Sequence, residues 1–122
     1  MKLIPGQIWL ADLGPPHARH TQEPTRAGPV IIASIEPLND ALATIIVFPI
    51  SKSVYDPKDP NVVVLKRDKR NNLDYDSAVL PMLLRGIVKS RLQHSFGMLT
   101  SKQLERARDI VRTALGLGAT DP

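Results

Sequence analysis

Two polar connections carry most of the side chains able to do chemistry. Residues 14–27 hold His17, His20, Glu23 and Arg26 among prolines and threonines, and residues 51–60 open with Ser51, Lys52 and Ser53. Together they offer a fixed cation, a compact point charge, hydroxyl donors and imidazoles, but no thiol, because the chain has no cysteine. Arginine stays protonated at neutral pH, so it can hold an anion but cannot act as a base. Histidine is the side chain that takes and gives protons near neutrality, and His17 and His20 are two of the chain's 3. Proton carriage is one reading of this pair and solvated loop histidines are the other. A metal site there is disfavoured, since no cluster of acidic or cysteine ligands accompanies the pair.

The elements that must position these residues read as short strands. Residues 6–13 (GQIWLADL) have strand length and an aromatic, and Gly14-Pro15-Pro16 closes them with a turn signal. Residues 30–33 form a buried strand, residues 38–40 a turn, and residues 42–50 a second apolar strand, so a hairpin is expected at the heart of a sheet. A β-branched run at residues 62–65 and short strands at 78–80 and 83–88 follow, giving five or six strands in all. No crossover helices separate them, which favours a small bent sheet or barrel over a βαβ fold. One helix begins at Thr100, where Gln103 completes a capping box, and Gly116 stops it. Its apolar face is Leu104, Ala107, Val111, Ala114 and Leu115. Connections as long as residues 14–27 are usually functional or disordered, since the scaffold gains nothing from ordering them.

The chain has 122 residues, enough for one domain over 1–122. Its net charge of +4 draws in polyanions only mildly and divides evenly between a nucleic-acid partner and an ordinary basic surface. The N-terminal residues 1–5 lack the apolar core of a signal peptide, and the longest apolar stretch, 41–50, is too short to span a bilayer. A cytoplasmic protein with no membrane contact is expected. Trp9, the only tryptophan, reads as core, and an aromatic content of 4 % argues against recognition rich in stacking.

The ordered pieces resemble the MazF/PemK family of toxins, which share a CcdB-like fold. GQIWLADLGP looks like that family's opening strand, GPVIIAS like its following strand, and IIVFPIS like the strand that ends in Pro-x-Thr. DSAVL, RGIVKSRL and FGMLT look like its last strands and the lead into the C-terminal helix. The resemblance covers nearly the whole chain in order. It implies a mainly β, SH3-like barrel with a C-terminal α-helix, and a homodimer that cuts single-stranded RNA at short sequence motifs without metal or other cofactor. It also implies an acidic antitoxin that neutralises the toxin.

The family's catalytic pair is an arginine just before the Pro-Val strand and a threonine after the Pro-containing strand. Here those positions hold Gly28 and Ser51, and a polar residue common near the sixth strand falls on or near Leu83. Cleavage by the 2′-hydroxyl requires a proton acceptor, a proton donor and a stabiliser of the phosphorane. One such donor is worth roughly 2.7–4 kcal/mol in oxyanion sites. Arg26 is the candidate stabiliser, because residues two apart in extended backbone share a side and its long side chain can reach the place vacated at 28. Ser51 keeps the hydroxyl of the family threonine, or else serves only to turn the chain after Pro49. Lys52, Ser53, Glu23, Arg85, His17 and His20 are candidate RNA contacts. Arg85 and Arg91 either line the groove or pair with carboxylates such as Asp76. The second reading is a non-cutting member of the fold that binds RNA, an antitoxin or another protein such as gyrase.

Overall fold

A computed structural model describes residues 2–14 and 27–117. Among these, seven strands form one strongly bent antiparallel sheet: β1 (Gln7–Asp12), β2 (Ala27–Ile32), β3 (Thr44–Ser51), β4 (Val63–Leu65), β5 (Ser77–Val79), β6 (Arg85–Val88) and β7 (Leu92–Met98). The order is β4-β5-β3-β2-β1-β7, with β6 also on β3. The expected mainly β architecture with a C-terminal helix is therefore present. The expected hairpin is β2–β3, with Ile31 opposite Phe48.

β3 is the spine. Its first half pairs with β6, Val47 facing Arg85, and its last residues pair with β5, Ile50 facing Val79. Pro49 sits at the changeover. Its carbonyl accepts from the Leu80 amide at 3.0 Å, and in extended backbone the N–H of a residue points the same way as its C=O. The N–H that proline lacks would thus face the gap between β5 and β6, where no ladder bond is lost.

Alternate residues go to two apolar clusters. Trp9, Val30, Ile32, Val47 and Ile87 fill one face, and Ile8, Ile31 and Phe48 fill the other beneath helix α2 (Ser101–Ala114). A sheet buried on both faces explains why the strands read as continuous apolar runs. In the capping box, Thr100 Oγ1 accepts from the Gln103 amide at 3.1 Å and Gln103 Oε1 accepts from the Thr100 amide at 2.9 Å. The buried helix face is Ala107 and Ile110, flanked by half-buried Leu104 and Val111. Ala114 and Leu115, expected on that face, are exposed, and the core position of the helix after Ala107 is Ile110.

The expected turn at 38–40 is instead a short helix, α1 (Glu36–Ala41), with proline in its first turn. It exists to bury Asn39, whose amide donates to the carbonyls of Leu3 at 2.8 Å and Ser34 at 2.7 Å and accepts from the Ser34 hydroxyl. These bonds tie the N-terminal segment to the hairpin end. Trp9 is buried, as expected, with its indole N–H donating to Gln7 Oε1 at 3.0 Å.

Candidate functional site

α2 covers one end of its sheet face, and the other end is open. There, where β1, β3 and β5 approach their connections, lies a groove of about 950 Å³ that no residue of α2 lines. Leu10 faces Pro29 on one side and His94 on the other. Two residues further along, Ile8 faces Ile31, so by the strand alternation Leu10, Pro29 and His94 continue the helix-covered face into the groove. Around them stand Ala27 and Gly28 at the start of β2, residues 51–54 after β3, residues 72–75 before β5, and Leu83 and Arg85.

Ser51, Lys52, Ser53 and Arg85 are thereby brought to one groove. Ser51 ends β3, and its hydroxyl oxygen accepts from the amides of Ser53 at 3.3 Å and Val54 at 2.9 Å. This is the turn-making role foreseen for it. Both bonds use lone pairs, however, so the single hydroxyl proton remains available to donate into the groove. The turn throws Lys52 across the opening, where its ammonium lies 4.5 Å from the centroid of the Tyr75 ring.

Arg85 is exposed and has no carboxylate partner among the described residues. The Asp76 carboxylate accepts instead from the Arg67 amide at 2.9 Å. Arg85 faces Val47, four residues before Ser51, which is on the order of 13 Å of strand. Two groups so separated suit an extended ligand better than a single anion. Arg91 does not line the groove: its guanidinium donates to the Asp12 carbonyl at 3.2 Å and packs under Gly14, bracing the start of the first connection. Asp74 adds one negative charge to the lining, so the groove is mixed rather than uniformly basic.

Arg26, Glu23, His17 and His20 lie outside the described residues. Arg26 is bonded directly to Ala27, which lines the groove. A side chain at position 28 would begin 3.3 Å from Leu13 Cδ1, at the edge of the same groove. Leu83, expected at a polar family position, is there and largely exposed.

Three groove residues escaped the sequence reading. His94 is exposed on β7, and its ring stands 6.2 Å from that of Phe96 at a tilt of 58°. Tyr75 sits on the 72–75 wall. No local pattern marks them, because only the pairing of β7 with β1 and the fold of the loop before β5 bring them to Ser51.

The wall that carries Tyr75 is tightly fixed. Asn71 is buried, exchanges bonds with Asp68, and donates to the Lys66 carbonyl at 2.8 Å. Asn72 takes a positive φ of 54° and donates to the Phe96 carbonyl at 3.1 Å, while the Met98 amide donates to the Arg70 carbonyl at 3.0 Å. The loop backbone presses so close to β7 that a Cβ on Gly97 would fall 2.0 Å from the Asn71 carbonyl oxygen.

Comparison with known proteins agrees with this fold. The model of a family described as PemK-like, MazF-like toxin of type II toxin–antitoxin system matches residues 4–115. The Endoribonuclease MazF of Staphylococcus saprophyticus is 30% identical over 112 residues, covering 92% of this chain and 90% of that protein. Among solved structures, an endoribonuclease in complex with its cognate antitoxin from mycobacterial species superposes with a TM-score of 0.73 at 20% identity, covering 96% of this chain and 98% of that one. The Mycobacterium tuberculosis toxin MazF-mt6 does so with 0.70 at 22%, covering 93% and 99%. A MazE–MazF structure from Deinococcus radiodurans gives 0.73 at 19%, covering 94% and 96%. At these identities the structures speak for the fold.

Proposed function

The chain belongs to the PemK-like, MazF-like toxin family of type II toxin–antitoxin systems, and on that premise we propose that it is an endoribonuclease that cuts single-stranded RNA at short sequence motifs in the groove at the end of its sheet. It works as one domain over residues 1–122, as a homodimer in the cytoplasm, without metal, and is held inactive by an acidic antitoxin.

The attacking group is the substrate's own 2′-hydroxyl. Its oxygen bonds to the adjacent phosphorus and the 5′-oxygen leaves, so one proton is taken from the 2′-oxygen and one is given to the departing oxygen. The products are a 2′,3′-cyclic phosphate and a free 5′-hydroxyl. Ser51 donates its hydroxyl proton to a phosphate oxygen, Arg26 neutralises the charge that gathers in the phosphorane, and Lys52, Ser53 and Arg85 hold the strand. Arg26 and Lys52 are poor proton acceptors, so an imidazole is the natural carrier. His94 joins His17 and His20 as a candidate because it lines the groove with Ser51.

One observation carries the reading: the hydroxyl at the end of β3, the cations of Lys52 and Arg85 and the residue bonded to Arg26 all border one groove. The test is purified protein on a mixed RNA pool, with and without EDTA, with the product ends identified. Cleavage unaffected by EDTA and leaving cyclic phosphates is expected. Cleavage abolished by EDTA sinks the metal-free mechanism.

The alternative, a non-cutting member that binds RNA or a protein, draws on Gly28 in place of an arginine and on the two amides already held by Ser51. RNA retained but never cut, even at high protein concentration, is its signature.

A further inference from the structure

Tyr75 is a large ring spent on neither apolar cluster: 58% of it is exposed, at the mouth of the groove. Such exposure is costly to explain as packing, and the loop that presents the ring is held on both sides. Asn71 and Asn72 anchor it before, and after it the Ser77 hydroxyl donates to the carbonyl of Tyr75 itself at 2.8 Å. Phe96 lines the same groove but packs against the second cluster, so its faces are partly used. Among the described residues, the Lys52 ammonium lies over the Tyr75 ring, 4.5 Å from its centroid.

A lysine over an exposed ring is a weak contact. A nucleobase stacked on the same ring gains more, and a lysine displaced from the ring is free to meet a phosphate. We propose that Tyr75 is the groove's stacking platform for one base of a single-stranded RNA, and that Lys52 leaves the ring for the neighbouring phosphate when the base arrives. This rests on the groove being the RNA site. Stacking accepts any base face, so Tyr75 fixes where the strand lies, while hydrogen bonds elsewhere in the groove choose the sequence.

The test uses a degenerate pool of fluorescently labelled 2′-O-methyl oligonucleotides, which cannot be cut because the attacking oxygen is blocked. Dissociation constants are measured over a salt series for the wild type, Tyr75→Phe, Tyr75→Ala and Lys52→Met. Tyr75→Ala should weaken binding about 5- to 100-fold with an unchanged salt slope, and Tyr75→Phe should bind within about twofold of wild type. Lys52→Met should lower the slope by about 0.7, the share of one phosphate contact on a single strand. Thermal unfolding of Tyr75→Ala should match the wild type, since the loop is anchored by other residues. If the wild type binds and Tyr75→Ala binds as tightly, the platform is refuted while the RNA reading stands. If the wild type binds no oligonucleotide, both fall.

Discussion

At the scale of single residues, Ser51 concentrates the chemistry. Its oxygen accepts two loop amides, and its proton is left for a ligand. Removing the hydroxyl thus does two things at once: it leaves the two amides unpaired and takes away the donor. Ser51→Ala should cut the cleavage rate by at least about 100-fold, the usual cost of one donor to a developing oxyanion. Ser51→Thr keeps the hydroxyl and should retain most of the rate. Equal loss in both variants would remove the Ser51 hydroxyl from the mechanism. Arg26→Ala should also lower the rate by about 100-fold or more, measured at saturating RNA; an unchanged rate removes Arg26 from the mechanism. The place of Ser51, Lys52 and Ser53 was legible beforehand, because they stand at the end of an apolar strand just past Pro49, and polar residues gather where strands stop. Tyr75 and His94 were not legible. Their neighbours in space are distant in the chain, and a low aromatic content argued against stacking when in fact two of the five aromatic rings border the groove.

At the scale of elements, the groove depends on a loop clamped to a strand. Gly97 is the point of closest approach, and no side chain fits between β7 and the Asn71 carbonyl. Gly97→Ala should therefore destabilise the fold by about 2 kcal/mol or more, seen as a lowered unfolding midpoint, and should weaken RNA binding further by shifting the Tyr75 wall. An alanine here without effect would show that the loop moves freely. The helix was readable because its signals are local: a threonine and a glutamine three apart start it, and a glycine with φ of 70° follows its end. Its inner face was only partly readable. Ile110 is buried and Leu115 exposed, a choice set by how the helix is rotated on the sheet, which the helical period alone does not state. α1 was missed for a similar reason, since Pro37 and Asn39 have the look of a turn and the bonds that make Asn39 a core residue go to Leu3, far off in sequence.

At the scale of the whole molecule, the modest net charge of +4 matters less than its arrangement around a groove that also holds Asp74. RNA affinity should fall with added salt, but by the few phosphate contacts that Lys52, Arg85 and Arg26 can make, giving a slope magnitude of about 2. A slope magnitude of about 5 would extend the strand's path over the exposed Lys66, Arg67, Lys69 and Arg70 as well. Sedimentation equilibrium should return about twice the 13.4 kDa chain mass; a single-chain mass rules out the homodimer. The two-faced burial of the sheet has a practical sequel. Trp9 belongs to the cluster on the side away from Leu10, Pro29 and His94. Its emission will therefore track loss of the native core, which gives the one tryptophan of the chain a folding signal.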